Sequence, residues 1–391
     1  MIGVEDAQAL CLGLVTPIPT LDMVPLALAA GRVMRREARA DRAQPPFESS
    51  AMDGYALRDA ELAIGASFDV VGESAAGHGW DGHLAPGQAV RIFTGAPVPA
   101  GADHVVIQED VAREGDRITV LPTLGQGPNI RPAGADFPRG FTLAAPRMLS
   151  PSDLALLASM NIARVQVAAR PRVALLATGD ELVMPGESPG RDQIIASNTF
   201  ALKAMVDAAG GEGLILPIAP DDRVALESAM AELARADIAV TIGGASVGDY
   251  DLVGQVGESL GMKRAFYKIS MRPGKPLIAG SLGGVPYLGL PGNPVSAIVT
   301  GHLFLLPMVR RMLGLHDALP RTVSARLAAD VGPTGPRTHY MRARLDGGVV
   351  TPFERQDSSL LSVLSEANAL LVRPLGDRPR QAGEAVPVLP L

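Results

Sequence analysis

Three loops in this 391-residue chain place acidic residues where an apolar run stops. Thr178-Gly179-Asp180-Glu181 ends the run that begins at Arg172. Pro220-Asp221-Asp222 ends a second run, and Gly243-Gly244-Ala245-Ser246-Val247-Gly248-Asp249 ends a third. In a doubly wound sheet, ligands sit just beyond the carboxyl ends of the strands. Gly179 would let the backbone turn sharply there and leave two carboxylates facing a crevice. The third loop, with Gly243, Gly244, Ser246 and Gly248, offers backbone N–H groups in a nest suited to phosphate. Each loop also has a plain reading. Asp221 or Asp222 would serve as a helix cap, and a glycine run can be only a turn. Their coincidence on one sheet edge is what points to a site.

A second set of residues supplies cations and a hydroxyl. Met271-Arg272-Pro273-Gly274-Lys275-Pro276 and Leu290-Pro291-Gly292-Asn293-Pro294-Val295-Ser296 are rigid, proline-flanked turns before a strand and a helix. Arg272 and Lys275 are point charges suited to an oxyanion, with Ser296 on a first helical turn, although solvated cations would look the same. Three further segments combine acids, hydroxyls and glycine: Ser49 to Ala56 with Asp53, Arg91 to Pro99 with Thr94, and Asn129 to Phe137 with Arg131 and Asp136. Turn chemistry alone explains each of these.

The elements that must hold these groups follow from periodicity. Helical spacing covers residues 5–15 and again Pro25 to Met34, and Ser150 or Ser152 caps a helix ending near Met160. Between Asp41 and Asp136 short β-prone runs alternate with Gly and Pro, which predicts a compact inserted β module. From Arg170 strands and helices alternate. Strands are expected at Val173–Thr178, Leu214–Ile218, Ile238–Ile242, Leu277–Gly280 and Val285–Leu290. Helices are expected at 197–209, 221–235, 251–260 and, unbroken, Val295–Met312. Such βα units give a doubly wound, mostly parallel sheet. Beyond Leu319 short strands return, as in a small β barrel. The fold class is thus multidomain α/β plus β. A small helical N-terminal domain spans 1–42 and 138–168, the inserted β module 43–137, the α/β domain 169–317, and the C-terminal β domain 318–391.

Composition limits the chemistry. With 43 Gly and 33 Pro, tight turns and short strands dominate. One cysteine, Cys11, excludes an internal disulfide framework and fits a reducing, cytoplasmic setting. With only six His beside it, any metal would be a hard cation held by oxygen. A net charge of −6 argues against a nucleic-acid partner. No signal peptide or membrane span is expected, since the apolar run from Ala297 to Val309 is too short.

Taken in order, SAMDGYA, RIFTGAPVPAGAD, NIRPAGADF, TGDEL, GGASVGD, MRPGKP and LPGNPVS resemble the molybdopterin molybdenumtransferases, the MoeA and gephyrin E-domain family, over nearly the whole chain. The resemblance implies four domains, an elongated homodimer, and Mg2+-dependent insertion of molybdate into adenylylated molybdopterin with release of AMP. It assigns Asp53, Thr94, Asp136, Glu181, Asp221 and Asp251 to the family's functional acids and hydroxyl. Glu181, Asp221 and Asp251 would hold Mg2+. Lys275 with Pro276, and Ser296, match the molybdate pocket, while Arg342 and Ser358 complete it on weaker local similarity. Molybdopterin adenylyltransferase and molybdoenzyme maturation proteins are the partners it points to.

Departures from the family pattern exist. Ala196 precedes Ser197-Asn198 where many members have Asp, which puts one polar contact to the nucleotide in doubt. Glu48-Ser49 replaces a common Asp-Asn pair, and Ala245 stands where Val is usual. Two other readings compete. The α/β domain also resembles the adenylyltransferases, and the fold supports non-catalytic scaffolds. The flanking β modules and the retained acids favour the transferase.

Overall fold

The computed structural model of the protein describes residues 1–244 and 252–391. Ala245, Ser246, Gly248 and Asp251 therefore lie outside the described residues. The molecule is organised around a six-stranded sheet. Its order is Glu212–Ile215, Arg172–Ala177, Ile238–Ile242, Val285–Leu290, Ile278–Leu282 and Lys263–Tyr267. The first four strands are mutually parallel, and the hairpin partner Ile278–Leu282 runs antiparallel to its neighbours. Both faces are covered, so the strands read as near-continuous apolar runs. Val173 and Leu175 belong to the core on one face, Ala174 and Leu176 to the core on the other. Helices α3 (Asn198–Ala208), α6 (Pro294–Thr300) and α7 (Leu306–Met312) close the first face. Helices α4 (Arg223–Leu233) and α5 (Leu252–Ser259) close the second.

The 295–312 segment was expected as one helix but holds a π turn at Gly301–Leu305 between α6 and α7. Pro307 explains the break: it has no N–H for the carbonyl of Leu303, four residues back. Gln8 Nε2 donates to that carbonyl instead, at 3.1 Å. Gln8 lies on α1 (Val4–Gly13), whose Val4, Ala7 and Cys11 are buried in the α/β core. The first helix, expected within the N-terminal domain, thus belongs by packing to the central sheet.

The expected helix at Pro25–Met34 is absent. Leu26–Leu28 is a single 3-10 turn, and Leu21–Pro25 and Val33–Met34 are strands. With Arg164–Ala168 and Arg147–Met148 they form a four-stranded sheet beside helix α2 (Pro151–Ser159). Gly31, at φ +69°, breaks any helix there, and strand pairing outweighs a weak helical preference. Helix α2 begins as expected, with Ser150 and Asp153 closing a reciprocal capping box.

The β module carries a six-stranded sheet in the order His104–Ile107, Gly54–Leu57, Gln88–Ile92, Ser67–Ser74, Arg117–Val120 and Val111–Glu114. The C-terminal strands close into a barrel, because Val349–Pro352, Val323–Leu327, Ala385–Pro390 and Ala369–Arg373 pair in that order and Thr338–Asp346 pairs with both ends of the series. Met271–Arg272 adds to this barrel as a parallel strand, with Arg272 opposite His339. One end of the MRPGKP segment is therefore stitched to the C-terminal domain.

Candidate active site at the carboxyl edge of the central sheet

A cavity of about 670 Å3 opens where the parallel strands end. Its floor is Thr178-Gly179, Ile242 and Gly243-Gly244, the last residues of two adjacent strands and their turns. Gly179 sits at φ +140°, and a Cβ there would lie 2.2 Å from Glu181 Oε2. Only glycine lets the Glu181 carboxylate fold back over the strand end. Glu181 and Asp221 both line the cavity. Asp180 Oδ1 accepts the Asp221 N–H at 3.0 Å and so fixes one loop against the other. The ambiguity over the two aspartates is resolved: Asp222 caps α4, accepting from Ala225 N at 2.9 Å, which leaves Asp221 for the cavity.

The opposite wall comes from Ile194 to Thr199, Pro276, Pro291 to Pro294 and Ser359. Asn198 Nδ2 donates to the Gly292 carbonyl at 2.7 Å and ties α3 to the LPGNPVS turn. Asn198 is a positioning group that spacing alone did not single out; Asp180, expected with Glu181 to face the crevice, instead does not line this cavity and spends Oδ1 on the neighbouring loop. Ser197 stands at the start of α3 but makes no capping bond. Glu181 and Asp221 are exposed, and among the described residues they form no ion pair and no Lys, Arg or His lines the cavity. No group of three or more metal-ligating side chains occurs among the described residues. Two carboxylates therefore stand together here, and Asp251, the third acid expected, is not described.

Lys275 is exposed, and its carbonyl accepts from Ile269 N and Leu277 N, each at 3.1 Å. Ser296 is buried on the first turn of α6. The loop 355–360 of the C-terminal domain docks against that turn: Val295 N donates to the Ser358 carbonyl at 3.0 Å. Ser358 thus meets α6 through its backbone, while its neighbour Ser359 enters the cavity wall. Arg342, expected in an oxyanion pocket, is 1% exposed. Its Nη1 donates to Leu360 O and Nη2 to Arg355 O, both at 3.1 Å, with Gln356 Oε1 on its backbone N–H at 3.0 Å. A guanidinium spent on carbonyls of the docking loop shapes that loop; it does not face the cavity.

Charge around this loop is lopsided. The Ser359 hydroxyl and N–H, then Arg342 and Arg272, hold the Asp357 carboxyl below the usual range. Burial, followed by Arg272, Arg373, Arg337 and Arg342, pushes His339 down to about 4, so it is neutral at neutral pH. The junction of barrel and sheet is a cationic region whose histidine stays uncharged.

In the β module three motifs converge. Ser50 N donates to Ala96 O and Gly95 N to Ser50 O, while Ser49 and Ser50 pair with Arg131 and Ile130. Asp53 Oδ1 accepts both the N–H and the hydroxyl of Thr94, each at 2.7 Å. These bonds, then Arg91, lower the Asp53 pKa. Asp136 is exposed, and its N–H donates to Gln44 O at 2.9 Å. The sheet-edge cavity is lined by no residue before Ala177, so Asp53, Thr94 and Asp136 stand apart from it in a single chain.

Comparison with known proteins agrees along the whole length. Residues 2–161 match the MoeA N-terminal region (domain I and II), 174–311 the family described as "Probable molybdopterin binding domain", and 324–391 the MoeA C-terminal region (domain IV). The chain is 37% identical to the molybdopterin molybdenumtransferase of Nostoc, over 100% of this chain and 94% of that one. It is 35% identical to molybdopterin molybdenumtransferase 2 of Mycobacterium tuberculosis, over 89% of each. The crystal structure of the molybdopterin biosynthesis moeA protein from Pyrococcus horikoshii superposes with a TM-score of 0.86 over 100% of both chains, at 26% identity. With the strand-end acids, the docking loop and the Asp53–Thr94 pair at the family's motifs, the chain belongs to the molybdopterin molybdenumtransferase family.

Proposed function

We propose that this protein inserts molybdenum from molybdate into adenylylated molybdopterin and releases AMP, a step of molybdenum cofactor biosynthesis. The observation that carries this reading is the sheet-edge cavity, which Glu181 and Asp221 both line without a cationic partner among the described residues. Mg2+ takes one or two carboxylates plus phosphate oxygens, and this donor set suits it. Bound there, Mg2+ would neutralise charge building on the phosphoanhydride. Glu181 and Asp221 would hold it, Gly179 letting the first carboxylate reach. The apolar side chains of Ile194, Ile195 and Pro276 line the wall beside it. Lys275, Arg272 and Ser296 lie on the segments leading into the cavity and would bind the molybdate dianion. Holding both groups in one place couples adenylate cleavage to metal insertion.

The active form we propose is a cytoplasmic homodimer with composite sites. Asp53, Thr94 and Asp136 are remote in sequence from the cavity lining, and an isologous two-fold would bring each β module against the partner's sheet edge. The single cysteine, buried at Cys11, suits a reducing compartment.

The test is AMP release from adenylylated molybdopterin, with and without molybdate. The proposal requires release that depends on molybdate and Mg2+. Mixing Asp53→Ala with Glu181→Ala subunits tests the composite site. Shared sites leave one intact site per heterodimer and restore part of the activity. A mixture that stays inactive despite proven subunit exchange excludes sharing.

A further inference from the structure

Arg91 performs no step described so far, yet it is the most heavily engaged side chain near Asp53. It lies on the strand Gln88–Ile92, opposite Tyr55 on the neighbouring strand Gly54–Leu57. Its guanidinium packs over two rings, 5.0 Å from the Tyr55 centroid and 4.7 Å from that of Phe93. From there Nη1 donates to the Gly54 carbonyl at 3.1 Å and Nη2 to Gln108 Oε1 at 2.7 Å. Gln108 in turn gives its backbone N–H to the Asp53 carbonyl at 3.0 Å, and its side-chain amide to Glu109 Oε1 at 3.1 Å.

The pair beside Arg91 is held from both sides. Asp53 precedes the strand Gly54–Leu57 and Thr94 follows the strand Gln88–Ile92, so their bond crosses two neighbouring strand ends. Gly54 cannot carry a side chain, because a Cβ would fall 2.0 Å from the Val106 carbonyl in the adjacent strand. The backbone after Asp53 is therefore fixed by the close approach at Gly54, by Gln108 on the Asp53 carbonyl and by Arg91 on the Gly54 carbonyl. Asp53 Oδ2 takes no hydrogen bond from the described residues, while Oδ1 is occupied twice. That leaves one carboxylate oxygen aimed by a rigid frame.

We infer that Arg91, assisted by Gln108, is a positioning residue that aims the Asp53 carboxylate for the reaction. It acts through Asp53 and Thr94 without touching substrate. Three features set this role: the planar fork reaches two acceptors at once, the rings fix its plane, and its charge favours the ionised carboxylate. Lysine could supply the charge and one donor but not the stacked fork. The inference rests on the proposed role of Asp53 in the transferase reaction.

The experiment compares Arg91→Met, which keeps the stem over the rings, with Arg91→Lys and Asp53→Asn. Molybdate-dependent AMP release is followed over pH, with kcat and KM separated and thermal midpoints recorded. For Arg91→Met, kcat should fall about tenfold or more while KM for the adenylylated pterin stays within about twofold, the signature of a group aligned only for the transition state. Its acid limb should move to higher pH, as should the Asp53 carboxyl titration by carbon NMR, and Arg91→Lys should recover part of both. Wild-type kcat, or an unmoved Asp53 titration, overturns the inference. So does a loss of rate that tracks the thermal midpoint with an unmoved acid limb, since that is a structural role alone. The carboxyl titration reads positioning without activity. If Asp53→Asn still released AMP normally, the functional reading of Asp53 would fall instead.

Discussion

Two groups of acids in this molecule have opposite surroundings. At the sheet edge, Glu181 and Asp221 stand exposed and unpaired among the described residues. In the C-terminal barrel, Asp377 accepts from Arg373 Nε at 2.6 Å and Arg380 Nη2 at 2.7 Å. Glu384 accepts from Arg378 Nη2 at 2.6 Å and Arg380 Nη1 at 3.3 Å. The Arg373 and Asp377 side chains are 1% and 7% exposed. Charges that the protein neutralises by itself serve the fold. Charges it leaves open are available to a ligand of opposite sign. The contrast separates function from stability without reference to any motif, and it makes claims that can be broken.

The largest effect should come from the open set. Glu181→Ala should lower molybdate-dependent AMP release on the order of a hundredfold or more, as loss of one preorganised electrostatic group does. Its thermal midpoint should hardly move, since a loop-end substitution stays within about 0.5 kcal/mol. A large stability loss with normal turnover would reverse the comparison. The closed set should behave the other way. Asp377→Asn strands a buried guanidinium and should cost about 3–5 kcal/mol. Denaturant titration measures this, and turnover per folded molecule should be preserved.

Between these lies the cationic junction. Lys275→Ala removes one charge-assisted contact, costing roughly 1.5–3 kcal/mol, or about tenfold to a hundredfold in molybdate affinity. Adenylylated molybdopterin should be weakened less, and equal weakening in binding titrations would merge the two pockets. Arg342→Ala offers a sharper contrast. Because its guanidinium braces the 355–360 loop, stability should fall together with molybdate affinity, and hydrogen exchange at that loop should rise.

The smallest effect is in pH. Arg378 holds Glu384 down, from 4.5 to about 2. Arg380, then Arg373, lowers Asp377. A carboxyl with a depressed folded pKa contributes stability that is full above its unfolded pKa and is lost as pH falls through the folded one. The barrel should therefore loosen between about pH 4.5 and pH 2, seen as faster hydrogen exchange in the Ala369–Arg373 strand. Glu384→Gln should flatten that acid transition. An unchanged profile would show that the network contributes no pH-dependent stability.

How much of this was legible varies with the range of the forces involved. The strand–turn acids were readable because each depends on a local pattern: an apolar run, a glycine, then carboxylates. Gly179 and Glu181 interact within three residues, so spacing carries the geometry. The same holds for the Ser150 capping box and the alternating elements of the α/β domain. The segment 25–34 was not readable. Its apolar spacing fits a helix, but pairing with residues near 147 and 165 outweighs a local preference of a few tenths of a kcal/mol per residue. Likewise, the break before Pro307 was not read within the expected Val295–Met312 helix, and the donor that makes it tolerable, Gln8, lies 295 residues away.

The amino-acid sequence by itself determined the doubly wound class, the family, and which acids end strands, because periodicity and turn chemistry act over a few residues. Only the tertiary structure decided which neighbour of each pair faces the cavity. Asp222 caps a helix and leaves Asp221 for the cavity, and Ser359 lines the wall while the Ser358 carbonyl holds Val295. It also decided that Arg342 braces a loop, and that Asp53 and Thr94 meet. These outcomes depend on which hydrogen-bonding groups the fold brings to a given donor, and each group, once satisfied, is no longer free for a ligand.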